Sequence, residues 1–202
     1  MKQLTETLVK DTSKIAIYVV GYPGSGKSTI VDSIKTIGNG FSVYDIDKLN
    51  DLMMIFRKKP PEMSPDEYKK YIDKRMQELL HERRGIIITK VGRNKDSVKN
   101  EVEMLEKFGY SVMMIFLYND PNVAWQRVKE RESVRKVDKD YFDKAVKEVN
   151  NNFAFFRNFF SKEGRYFHIF PSIFEYNSVE YIGELNFLHN KIEEFIRKSI
   201  KK

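Results

Sequence analysis

The chain has 202 residues, of which 41% are hydrophobic and 32% charged, and carries a formal net charge of +7. That length and balance suit one globular domain with a sizeable core, and the positive excess favours an anionic partner, either nucleotide or nucleic acid. The chain has no cysteine, which excludes disulfides and thiolate zinc sites. No apolar run approaches the ~18 residues of a membrane span, and Met1-Lys2-Gln3-Leu4-Thr5-Glu6 lacks the apolar stretch of a signal peptide, so a cytoplasmic location away from membranes is expected.

The first predicted element is a buried strand, Ile15-Ala16-Ile17-Tyr18-Val19-Val20, short and rich in β-branched residues. It runs into Gly21-Tyr22-Pro23-Gly24-Ser25-Gly26-Lys27-Ser28, which fits G-x-x-x-x-G-K-[ST], the phosphate-binding loop of nucleotide triphosphatases and kinases. In this pattern Gly21, Gly24 and Gly26 let the backbone turn sharply and bring its N–H groups, with those of Ser25 and Thr29, close to phosphate oxygens. Lys27 reaches the β- and γ-phosphates, and the Ser28 hydroxyl ligates Mg²⁺. A helix from Ser28 to Ile37 follows, with Ile30, Val31 and Ile34 on one face and Gly38 and Gly40 at its end. Its positive end points at the anion.

A second strand is predicted over Phe41–Ile46, carrying Tyr44-Asp45-Ile46-Asp47 at its end. In an open parallel sheet the carboxyl ends of the strands line the ligand crevice. Asp47 therefore stands where a base for an acceptor hydroxyl is needed, unless it caps a helix starting near Lys48. Alternation puts Asp45 on the same side, where it can assist Mg²⁺ through water. Arg57-Lys58-Lys59-Pro60-Pro61 reads as a solvated helix end and loop rather than a phosphate contact. Ser64-Pro65-Asp66-Glu67 is a capping box that opens a helix running to about Arg83.

A third strand is predicted over Gly85–Thr89, a helix over Ser97–Phe108 stopped by Gly109, and a fourth strand over Ser111–Leu117. Asp120-Pro121 combines an N-cap with proline at the first helical position. In the helix it opens, Arg127, Arg131 and Arg135 recur at i, i+4 and i+8 and share a face. Such a stripe can close over triphosphate as a lid and neutralise charge on the transferring group, with Arg127 placed to pack beside adenine instead. A long helix over Lys139–Ser161 stops near Gly164. Its Val149, Phe153, Phe156 and Phe160 form one apolar face, read as core rather than as a base-stacking platform. A fifth strand over Tyr166–Phe170 and an amphipathic helix over Val179–Ile200 complete the pattern. His81, His168 and His189 are scattered and read as surface or satisfied histidines. Alternating strands and helices imply a parallel sheet covered on both faces. With no linker and no repeat, the chain reads as a single α/β domain over 1–202, its core at about 12–172 and a helical extension at about 173–202.

The phosphate loop, the Asp-x-Asp after strand two, Gly92-Arg93-Asn94 after strand three, Gly109-Tyr110 before strand four and the Arg-x-x-x-Arg lid resemble the zeta-toxin and polynucleotide-kinase group of P-loop kinases. The likeness covers about Ile15 to Phe170 and is similar to small phage-type members, which include kinases for hydroxymethylated bases in DNA. It implies a three-layer α/β/α fold with a mainly parallel five-stranded sheet and a helical lid, with ATP and Mg²⁺ as cofactors. It also implies Asp47 as general base, Lys27 and Ser28 as phosphate and Mg²⁺ contacts, and Arg131 as the lid arginine. Gly92 and Arg93 match an acceptor-side loop where an arginine can hold a substrate phosphate.

The sequence departs from that pattern at the end of strand three, where Thr89-Lys90-Val91 replaces an acidic residue. Asp45 can stand in for the carboxylate, and Lys90 favours an anionic acceptor; lowered activity is the other consequence. Three functional readings stay open. One is a kinase of a nucleic-acid hydroxyl, either a hydroxymethylated base or a 5′-OH end. Another is a kinase of a nucleotide-sugar or nucleotide. The third is a nucleotide-binding switch that transfers nothing.

Overall fold

The computed structural model describes residues 12–37, 40–45, 70, 74, 76–82, 84–130, 137–162 and 164–200. In chain order its strands are β1 (Ile15–Val20), β2 (Phe41–Asp45), β3 (Gly85–Lys90), β4 (Ser111–Tyr118) and β5 (Arg165–Pro171). Its helices are α1 (Lys27–Ile37), α2 (Lys95–Lys107), α3 (Pro121–Glu130), α4 (Lys139–Phe160) and α5 (Val179–Ile200). Residues 76–81 are also helical, within the helix expected to end near Arg83.

The sheet has five strands in the order β2-β3-β1-β4-β5, and every pairing is parallel. All six residues of β1 are buried, as expected for a central strand with both faces covered. Their alternation divides the core. Ala16, Tyr18 and Val20 join Ile86, Ile88, Met114 and Phe116 against α2 and α4. Ile15, Ile17 and Val19 join Ile87, Met113, Ile115 and Leu117 against α1 and α5. Three layers result, and α5 completes the core on the α1 side.

Where the described residues cover the expected elements, those elements are present, with small shifts at their ends. The helix after β3 begins at Lys95 rather than Ser97, because the Asn94 side chain caps it by accepting from the Ser97 N–H at 2.9 Å. Asp138 caps α4 in the same way, accepting from the Tyr141 N–H at 2.7 Å. Asp120 accepts from the N–H of Asn122 at 2.7 Å, with Pro121 opening α3 as expected. The β3, β4 and β5 strands each extend past their expected ends, to Lys90, Tyr118 and Pro171. The phenylalanine stripe of α4 is core: Val149, Phe156 and Phe160 are fully buried, and Phe153 packs edge-on against Phe116 at 5.1 Å.

Candidate active site

Register fixes what meets at the carboxyl edge of the sheet. Val20 lies opposite Lys90 on one side and Phe116 on the other, while Asp45 lies opposite Thr89. The phosphate loop, Asp45, Lys90 and the Gly92-Arg93 turn therefore leave the sheet at one level. The crevice rule for open α/β sheets assigns ligands to that level.

The loop is a built concavity. Gly24 and Gly26 have φ of +78° and +92°, a region that residues with a β-carbon adopt only with strain. A β-carbon at Gly24 would also overlap the Ala124 carbonyl of α3. Ser25 is fully buried, its N–H donates to the Tyr22 carbonyl at 3.2 Å, and its hydroxyl has no partner among the described residues. The first α1 turn bond runs from the Ile30 N–H to the Gly26 carbonyl at 3.2 Å. This leaves the preceding N–H groups of Ser28 and Thr29 outside the helical ladder. Ser28 and Thr29 are exposed, and no acidic residue occupies that turn, so the helix start is open to an anion. Lys27 Nζ donates to the carbonyls of Gly21 at 2.7 Å and Tyr22 at 3.2 Å, which carries its ammonium back over the loop.

Tyr22, a variable position of the motif, anchors this loop. It is buried, and its hydroxyl donates to the Asn119 carbonyl. Its ring meets Phe142 of α4 edge-on at 6.0 Å, and Phe142 lies 5.1 Å from Trp125 of α3. Burial, reinforced by the nearby Asp120 carboxylate, pushes the phenol up to about 12. Tyr22 is therefore a neutral donor at any physiological pH. The sequence singled out the glycines and the lysine; the apolar character of position 22 was the available signal for this contact.

At the end of β3, Lys90 forms an ion pair with Glu101 of α2, and its side chain is 14% exposed. Glu101 also accepts from the hydroxyls of Tyr18 and Ser97, each at 3.4 Å. Burial, then Glu101, raises the Tyr18 phenol well above its ordinary range. The positive charge that the sequence offered to an anionic acceptor is thus met inside the fold. Glu101 was not singled out in the sequence, although an acid beside the Val98, Val102 and Leu105 face of α2 is a signal for such a partner.

Gly92, with φ of +82°, turns over the side chains of Val20 and Phe156. Asn152 of α4 donates to the carbonyls of Gly92 at 3.1 Å and Arg93 at 2.8 Å. Arg93 Nε pairs with Glu148 of α4, and the guanidinium lies 4.8 Å from the centre of the Tyr141 ring. The hydrogen bond to Glu148 raises Arg93 further, and the same bond draws Glu148 below the ordinary carboxylate range. Three α4 side chains, at i, i+7 and i+11, thus hold the turn, and none was evident without knowing which strand end α4 crosses.

Arg127 is half-buried on α3 and lies close enough to lower the Tyr181 phenol, whose pKa burial and Tyr176 raise. Asp47, Arg131 and Arg135 lie outside the described residues, as do Arg57-Lys58-Lys59-Pro60-Pro61 and Ser64-Pro65-Asp66-Glu67. Among the described residues no three His, Cys, Asp or Glu side chains group as a metal cage. The donors at the edge, the Ser28 hydroxyl and the Asp45 carboxylate, instead suit Mg²⁺, which keeps waters and takes substrate phosphates rather than an all-protein cage. No described helix is long and apolar enough to cross a membrane.

The parallel sheet, the glycine loop and the open helix start define a P-loop α/β fold. The family model described as Zeta toxin matches residues 2–168, and the chain belongs to that family. No curated protein matches it. Among solved structures, it is similar to the PezAT chromosomal toxin–antitoxin system of Streptococcus pneumoniae, at 16% identity and a TM-score of 0.61, over 96% of this chain and 94% of that one. It is similar to shikimate kinase from Bacteroides thetaiotaomicron at 16% identity and a TM-score of 0.59, over 89% and 98% of the two chains. A chain of the Pnkp1/Rnl/Hen1 RNA repair complex matches at 18% identity and a TM-score of 0.58, over 70% of this chain. This chain spans 46% of that longer one.

Proposed function

We propose that the protein transfers the γ-phosphoryl group of ATP to a hydroxyl on nucleic acid, a hydroxymethylated base or a 5′-OH end. The observation that carries the kinase reading is the phosphate loop with its open helix start, at the same sheet edge as Asp45 and the Gly92-Arg93 turn. The net charge of +7 supports the polymer acceptor. In this reading the loop N–H groups and Lys27 hold the triphosphate, and Ser28 with Asp45 would hold Mg²⁺, which would supply charge neutralisation. Asp47 takes the proton as the acceptor oxygen bonds to phosphorus. The bond to the β-phosphate oxygen breaks and ADP leaves. Arg131 balances charge on the transferring group, while Arg135 contacts ATP and Arg127 packs beside adenine.

A second reading, phosphorylation of a nucleotide-sugar or nucleotide, is favoured by the Lys90–Glu101 pair, which removes one cation from the acceptor side. The test uses γ-labelled ATP and Mg²⁺ with 5′-OH single-stranded DNA and RNA, duplex DNA containing 5-hydroxymethyluracil, a UDP-linked amino sugar and nucleoside monophosphates. Label on a polymer, lost in Lys27→Ala and in Asp47→Asn, is the expected result. Label on a small molecule alone selects the second reading. ATP binding without label on any acceptor leaves a nucleotide-binding switch.

A further inference from the structure

The helix that holds the acceptor turn has a second face. Along α4 the residues Lys144, Lys147, Asn150, Asn151, Ala154, Arg157 and Asn158 are exposed, and helical geometry places them on one side. From Lys144 to Lys162 the described residues contain one carboxylate, Glu148, and it is turned to Arg93. Among the described residues, no ion pair joins Lys147, Arg157 or Lys162 to an acid. Lys95 at the start of α2 borders the strip, its ammonium 5.5 Å from the centre of the half-buried Phe155 ring. A helix face that serves solubility alone ordinarily mixes both signs. Asp140 and Asp143 share this side at its start, Asp143 paired with Lys139; past them the exposed residues are cations, amides and Ala154, a composition that meets phosphate oxygens by charge and by hydrogen bond.

Position ties the strip to the sheet edge. Asn152 and Glu148, on the inner side of the same helix, hold the Gly92-Arg93 turn at the sheet edge. The outer strip runs from Lys144 to Arg157 over about 20 Å at 1.5 Å per residue, along the stretch of helix whose Tyr141, Glu148 and Asn152 hold that turn. A mononucleotide at the edge cannot span that length; a strand can.

We infer that the outer face of α4 binds the sugar–phosphate backbone of a single-stranded segment of the acceptor, without reading its sequence. This rests on the nucleic-acid reading above and makes the enzyme prefer a polymer to its terminal unit.

The test compares a 20-nucleotide single strand with a dinucleotide carrying the same acceptor hydroxyl, by anisotropy and by steady-state phosphorylation. The variants are Lys147→Ala/Arg157→Ala and, as a control on α5, Arg197→Ala/Lys198→Ala. For the wild type, KM for the 20-mer should lie well below that for the dinucleotide. The α4 double variant should raise the 20-mer KM about tenfold. It should also flatten the slope of log K against log salt by about 1.4, at about 0.7 for each phosphate no longer neutralised. Its dinucleotide KM and melting temperature should match the wild type, and the α5 control should change neither. Equal 20-mer binding by the α4 variant and the wild type overturns the inference, as does a 20-mer with no advantage over a dinucleotide that is phosphorylated. If neither nucleic acid is phosphorylated but the 20-mer binds with an α4-dependent salt slope, the surface stands and the acceptor reading falls.

Discussion

The two longest described helices, α4 and α5, have the same length of 22 residues and lie on opposite faces of the sheet. Each buries an apolar face, Val149, Phe156 and Phe160 in one and Leu188, Ile192 and Ile196 in the other. They differ in what they do with charge. On α5 the cations are answered along the helix itself, by Lys191–Glu194, Arg197–Glu193 and Lys198–Glu194. On α4, past the Lys139–Asp143 pair of the first turn, the carboxylate is turned to Arg93 and the outer cations are exposed. A helix whose charges close on themselves contributes to stability and solubility; one that presents its cations outward beside a strand end is equipped to meet a partner.

The comparison breaks most readily in the core. Phe156→Ala on α4 should cost about 3–5 kcal/mol, and it also removes the ring under Gly92. Thermal melting should fall and the acceptor KM should rise in the molecules that remain folded. Leu188→Ala on α5 should cost about 2–5 kcal/mol but leave kcat/KM per folded molecule unchanged; a loss of turnover there would give α5 a role beyond packing. Glu148 sharpens the contrast by pH. Its carboxyl lies below the ordinary range because of Arg93, so the stability it lends is complete above that range and is lost as pH falls through its folded value. Carboxyl-carbon NMR should find Glu148 titrating low, and Arg93→Ala should return it toward 4.5, the ordinary value. Smallest of all, Arg197→Glu on exposed α5 should shift stability by no more than about 1 kcal/mol in denaturant titration, with no effect on turnover.

Much of this was legible in the sequence, for local reasons. β1 reads as a buried run, the loop has a motif, and Asp120-Pro121 marks the start of α3. Where the ends differ, the cause is also local: Asn94 caps α2 earlier than the hydrophobic pattern begins. The contacts that complete the site are of another kind. Glu101 meets Lys90 across 11 positions, and Asn152 reaches Gly92 across 60. Such pairs depend on strand order and helix crossing, which periodicity does not encode. Lys90 illustrates the consequence: its type suggested an anion site, and its neighbour in space supplies the anion.

Trp125 is the single tryptophan of the chain. It lies 5.1 Å from Phe142, which meets Tyr22 of the phosphate loop, and Lys139 stands 5.2 Å from its ring centre. The indole is two aromatic contacts from the loop that cradles phosphate. The protein therefore carries its own optical reporter: emission excited at the tryptophan band should follow nucleotide occupancy without any attached dye. A stopped-flow trace of that signal would time loop filling separately from phosphoryl transfer.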